Sequence, residues 1–196
     1  MKVGMIFECA DEGPDIKVCA HLAKRIRPDI TVVPDALGNK RYMLVECGES
    51  AAALLADGCE KVLIIWDLYP SFKRNEDPCL HRDRDLIFES LAEADVDLGR
   101  VELICIEAEL ETWLVAEYRA VRDVIRKWSP KANIGRLKKM TQANDPKVQL
   151  ERLFENHIGR PYLPYRDAEL IVQAIPDLRR LRRVPSFRRF ETKLTT

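Results

Sequence analysis

The chain has 196 residues, and its 32 Lys+Arg balance 32 Asp+Glu. That length suits one domain, or one domain with a helical extension, and it can bury a core without disulfide or metal staples. No run approaches the roughly 18 apolar residues of a membrane span, the start lacks a secretory cleavage pattern, and none of the six cysteines forms a Cys-x-x-Cys pair, so a cytoplasmic protein with reduced thiols is expected, with no zinc ribbon or redox motif.

The first strand is the apolar run from Lys2 that ends at Glu8. Pro14 and Asp15 then open a helix: proline suits the first helical position and Asp15 complements the positive end of the dipole. Ile16, Cys19, Ala20, Ala23 and Ile26 form its apolar stripe. Residues 30–33 give a short second strand, followed by a loop from Pro34 to Lys40. A helix through Ala51–Ala56 stops at Gly58, and a third strand runs from Val62 to Asp67. Pro70 to Asp77 is polar and irregular and predicts a long loop. A helix over His81–Ala94, a strand over Val101–Ile106 and one long helix over Glu109–Trp128 follow. Leu110, Trp113, Leu114, Val121, Ile125 and Trp128 share one face of that last helix.

This alternation predicts a three-layer α/β domain over residues 1–130, with a mostly parallel, Rossmann-like sheet. Residues 131–196 predict a basic helical extension packed on it. One helix opens at Asp145 and Pro146, one spans Asp167–Ile175, and one is capped by Ser186. Residues 1–130 carry 17 Lys+Arg against 25 Asp+Glu, and residues 131–196 carry 15 against 7. The two parts either attract each other, or set a metal site beside a polyanion-binding surface.

The acids carry the functional expectation. In an open parallel sheet the crevice lies at the carboxyl ends of the strands. Glu8, Asp67 and the group Glu107, Glu109 and Glu111 all fall at such ends. Crowded carboxylates repel unless a cation joins them, and hard oxygen ligands suit Mg²⁺ or Mn²⁺. Asp67 follows five apolar residues, so its buried carboxylate needs a partner. Glu117 falls within the apolar stripe, either as a ligand or in a structural salt bridge to an arginine. Glu109 and Glu111 near a helix start are also favoured by the dipole alone.

The strand ending in Glu8, the strand ending in Asp67, the Glu111–Glu117 stretch and the ending Pro185–Phe190 resemble a family of uncharacterised prokaryotic proteins with a Toprim-like fold. The resemblance covers nearly the whole chain. Toprim domains occur in topoisomerases, primases and overcoming-lysogenisation-defect nucleases. The resemblance implies one strand-end glutamate and an Asp-x-Asp after a later strand, together holding Mg²⁺. Either Glu8 or Glu12, which precedes Gly13, can be the family glutamate, and Glu8 is preferred. The Asp-x-Asp is reduced to Asp67 and Tyr69, so Glu107 or Glu111 must supply the second carboxylate, or the site is weakened.

Arg179, Arg180, Arg182, Arg183, Arg188 and Arg189 could neutralise phosphates or pair with the acidic body. Arg136, Lys138 and Lys139 form a weaker patch, read as solvated surface. Gly38, Asn39 and Lys40 lack the spacing of a phosphate loop.

The leading expectation is a cytoplasmic, Mg²⁺- or Mn²⁺-dependent phosphodiester-cleaving enzyme of phage-defence or mobile-element biology. Glu8, Asp67 and Glu111 would be catalytic, with Glu107 and Glu117 as further metal ligands and the C-terminal arginines on nucleic acid. The alternative is a catalytically degenerate Toprim-like module that binds a protein or nucleic-acid partner. A small-molecule α/β enzyme is the third reading, and it lacks a cofactor fingerprint.

Overall fold

The structure, a computed structural model, describes residues 1–71, 76–135 and 145–196. The middle of the expected Pro70–Asp77 loop and the Arg136, Lys138 and Lys139 patch lie outside the described residues. Four strands, β1 (Lys2–Phe7), β2 (Thr31–Ala36), β3 (Lys61–Asp67) and β4 (Val101–Ile106), pair in parallel in the order β2-β1-β3-β4. The helices are α1 (Pro14–Ile26), α2 (Lys40–Ala56), α3 (Leu80–Glu93), α4 (Glu111–Ala116), α5 (Tyr118–Arg126), α6 (Pro146–Ile158), α7 (Pro164–Gln173) and α8 (Pro185–Thr195).

Side chains of a strand point alternately to the two faces, and the cores follow that period. Val3, Met5, Phe7, Leu63, Ile65, Ile104 and Ile106 face one core with α1 and α4 to α8. Ile6, Val62, Ile64, Trp66 and Cys105 face the other with α2 and α3. The result is the expected three-layer α/β sandwich. Burial on both faces explains why the strands read as continuous apolar runs rather than alternating ones. Leu150, Phe154, Ala168, Ile171, Phe187 and Phe190 of the C-terminal helices belong to the first core. Trp113 anchors them there: its ring lies 5.4 Å from both Phe187 and Phe190, and its Nε1 donates to Ser186 Oγ at 3.0 Å.

Three local expectations need correction. β2 continues through Pro34 to Ala36 because β2 is an edge strand, where a missing N–H leaves no ladder bond unmade. The helix expected over Glu109–Trp128 is two, broken at Glu117, whose φ of −104° and ψ of 67° leave the helical region. Ser186 does not cap α8: the helix starts at Pro185, and the Ser186 hydroxyl is buried against Trp113. Asp145 does cap α6, accepting from the Val148 N–H at 3.1 Å. Gly58, at φ +83°, follows the end of α2. Gly48 lets α2 and α3 touch, since a Cβ there would lie 2.0 Å from the Ser90 carbonyl oxygen.

β1 leads through α1 to β2 on one side, and β3 lies on the other side of β1. The chain therefore reverses its winding between β1 and β3, and a crevice opens beyond the carboxyl ends of those strands.

Candidate metal centre

Glu8 follows the last residue of β1, and Asp67 is the last residue of β3. The register pairs Phe7 with Ile65 and Asp67 with Ile106, so the strands deliver both acids to the same edge, at the winding reversal. Asp67 has the parity of Leu63 and Ile65, which points it toward α1 and α4. Asp15 in the first turn of α1 and Glu111 at the start of α4 meet it there. Burial first, then the charges of Asp15, Glu8 and Glu111, push the Asp67 carboxyl well above the usual range.

The other acids respond in the same way. Burial pushes Glu8 up to about 8, against the attraction of Lys40, with Asp15 and Asp83 adding repulsion. Burial also raises Asp15, beside the Cys9 thiol and opposed by Lys147. Glu111 is raised by burial despite Lys147 and the Tyr162 hydroxyl, which donates to its Oε1 at 3.3 Å. Glu109 rises to about 7 through burial and the nearby charges of Glu111 and Asp145. Asp67 Oδ2 accepts from the Leu110 N–H at 3.2 Å. Asp67 Oδ1, Glu8 Oε2 and Glu109 Oε2 are buried without a hydrogen-bond partner. Such orphaned oxygens are uncommon in folded proteins and call for an explanation such as a bound ion.

Two cations frame the cluster. Lys40 Nζ bonds the carbonyls of Asp67, Leu68 and Pro70 at 2.9, 2.8 and 3.0 Å, and pairs with buried Asp83 at 2.9 Å. Asp83 also accepts from Trp66 Nε1. Lys40 thereby ties the segment after Asp67 to α2 and α3. Lys147, from α6, faces Asp15, Glu109 and Glu111 from the other side.

The structure thus brings Glu8, Asp67 and Glu111 together, and adds Asp15, Glu109, Lys40 and Lys147. It keeps other candidates apart. Glu12 is exposed, in a left-handed backbone conformation. Exposed Glu107 pairs with Arg189 at 2.6 Å. Glu117 is fully buried, and Arg119 holds both its oxygens at 2.7 and 2.6 Å while Arg180 lies at 3.6 Å. Glu117 thus makes the salt bridge to an arginine that one of its two readings expects. Tyr69, where a second aspartate is expected, uses its N–H to extend strand pairing to the Ala108 carbonyl.

A dication of the Mg²⁺ or Mn²⁺ kind fits these donors. All are hard oxygens, three are orphaned, and their mutual repulsion is what a cation would relieve. Among the described residues no three such side chains already stand close enough together to hold a metal ion. Of the C-terminal arginines, Arg182 pairs with Glu191 and Arg179 with Asp177, so part of the basic surface is satisfied within the chain. Among the described residues no helix is long and apolar enough to cross a membrane.

No protein-family model matches the chain, and no curated protein matches it. Among solved structures, the C-terminal region of the Burkholderia pseudomallei OLD protein is similar over 98% of this chain and 96% of that one, at 18% identity and a TM-score of 0.51. The C-terminal region of the Xanthomonas campestris pv. campestris OLD protein aligns over 99% and 95%, at 17% identity and a TM-score of 0.45. At such identity the first likeness speaks to the fold: the chain has a Toprim-like α/β fold with added helices, as its sequence implied.

Proposed function

We propose that the protein is a cytoplasmic, Mg²⁺- or Mn²⁺-dependent enzyme that cleaves phosphodiester bonds in nucleic acid. The observation that carries this is the set of orphaned buried oxygens on Glu8, Asp67 and Glu109 at the winding reversal of the sheet. Glu8 and Asp67, with Glu111, would hold the ion. A bound dication supplies charge stabilisation at a phosphoryl oxygen and a lowered pKa for an attacking water. Lys40 fixes the segment carrying Asp67 through three carbonyls, and Lys147 faces the acids from α6. The OLD-like fold favours this reading. Six free cysteines suit a reducing compartment.

Calorimetry with Mn²⁺ on wild type and Asp67→Asn is the test, followed by cleavage assays on DNA and RNA. Binding lost in the variant, together with Asp67-dependent cleavage, supports the proposal. A wild type without Mn²⁺ binding refutes it and favours a second reading, a degenerate module that binds a partner. Tyr69 in place of the second aspartate is the observation behind that alternative.

A further inference from the structure

A cluster of arginines lies at the far end of α4. Residues 178–184 form a tight turn whose N–H groups return to nearby carbonyls, from Arg182 to Leu178, Arg183 to Arg180 and Val184 to Leu181. Buried Leu178 and Leu181 anchor it in the core. Residues three apart eclipse in such a 3₁₀ turn, so Arg180 and Arg183 rise on the same side. Arg182 falls on another and pairs with Glu191. Across from the turn stands Arg119, at the start of α5. Arg119, Asp177, Arg179, Arg180 and Arg183 line a cavity of about 260 Å³.

The two acids nearby are already engaged. Both oxygens of Glu117 are taken by Arg119. Asp177 receives the backbone N–H, Nε and Nη2 of Arg179. These acids therefore orient guanidiniums, and four arginines against two carboxylates leave an excess of two positive charges. The Arg180 guanidinium lies over the Tyr118 ring, 4.9 Å from its centre. A guanidinium carries five N–H donors in a fixed fork. Arg119 Nη1 and both terminal nitrogens of Arg180 keep donors to spare, and among the described residues Arg183 has no ion pair. Pre-oriented, unspent guanidinium donors around a cavity of this size match the several acceptor oxygens of a phosphate group.

We propose that this cavity is a phosphate-binding subsite that seats one backbone phosphate of a nucleic-acid strand. The proposal rests on the nucleic-acid substrate proposed above, but not on the metal. Glu111 and Glu117 stand six positions apart, at the start and the C-cap of α4, about 9 Å at the helical rise. A strand seated here would therefore be gripped beside the carboxylate crevice rather than within it.

The test is binding of a fluorescent single-stranded oligonucleotide in EDTA, as a function of salt, for wild type, Arg183→Ala and Arg84→Ala. Arg183 and Arg84 are both exposed, so neither variant threatens folding, and circular dichroism verifies this. In Arg183→Ala the slope of log affinity against log salt should become shallower by about 0.7, the value for one lost contact on a single strand. The slope of Arg84→Ala should match wild type. Equal slopes in Arg183→Ala and wild type would overturn the proposal. So would Arg183-dependent stabilisation by inorganic phosphate without oligonucleotide binding, which would assign the cavity to a free phosphate. Because EDTA is present, Arg183-dependent binding stands even if the Mn²⁺ experiment fails, and the two readings fail separately.

Discussion

Metal-free protein should lose stability as pH rises through neutrality, and Glu8→Gln should remove much of that loss. A carboxyl whose folded pKa lies above its unfolded value holds its proton more tightly in the native state. Stability is then full below the unfolded value and falls as pH climbs through the folded one. Glu8 moves from 4.5 to about 8 and Glu109 to about 7, with Asp15, Asp67 and Glu111 shifted in the same direction. At about 1.4 kcal/mol per tenfold change in proton affinity, Glu8 alone costs on the order of 3–5 kcal/mol by pH 9. For a chain of this size that is roughly 10 °C in melting temperature. The assay is thermal melting in EDTA from pH 5 to 9, for wild type, Glu8→Gln and Asp67→Asn. Wild type should melt lower at pH 9 than at pH 6, and each variant should exceed wild type at pH 9. Millimolar Mn²⁺ should restore wild type most where the acids are ionised, since a ligand that binds only the native state stabilises by mass action. A melting temperature that stays level with pH in EDTA, with both variants weaker than wild type throughout, would refute the crowded-carboxylate account.

Other tests address the frame around the site. Asp167 is fully buried and accepts from Arg160 at 2.7 and 2.9 Å and from the Leu163 N–H at 2.8 Å; Asp167→Ala should cost about 3–5 kcal/mol in denaturant titrations. Its carboxyl is held below the ordinary value, so that stabilisation is present above the unfolded pKa of about 3.9 and the gap between wild type and variant should shrink in acid. Gly48→Ala drives a methyl into the Ser90 carbonyl and should destabilise by about 1–3 kcal/mol or more, read as a lower melting temperature. Lys40→Met strands buried Asp83, with an expected loss of about 3–5 kcal/mol, and adding Asp83→Asn should recover part of it in a double-mutant cycle.

What the sequence conveyed and what it concealed have physical reasons. Glu8 and Asp67 were legible because each ends an apolar strand, and a parallel sheet aligns such ends. Asp15 was read as a helix-dipole residue, which its position also permits. The better signal was that the helix after β1 starts at the same edge of the sheet where that strand ends. The anchoring role of Lys40 was not legible because its partners, Asp67, Leu68, Pro70 and Asp83, lie 27 to 43 positions away, and no local pattern marks so distant a set. The break at Glu117 was hidden because α4 and α5 pack on the same core, so the apolar stripe runs on across it. Arg119, two residues beyond, was the available clue: its side chain reaches back to the acid it follows.

Tyr69 raises the question of whether the crevice has enough charge to hold a dication, and the placement of the helices bears on it. A strand-end Asp-x-Asp would put both acids on β3 and its extension. Here the residue two beyond Asp67 continues strand pairing instead, and the other acids arrive from the starts of α1 and α4, as Asp15 and Glu111. Asp67 consequently has three acidic neighbours despite the tyrosine. Glu107, the other expected substitute, is tied to Arg189 at the surface. The number of carboxylates is therefore not what limits this site. Each is raised by burial, and among the described residues no three stand close enough together to hold a metal ion. An arrangement of this kind opposes stability while it is metal-free, and a divalent ion shared among Glu8, Asp67 and Glu111 would convert that repulsion into binding energy.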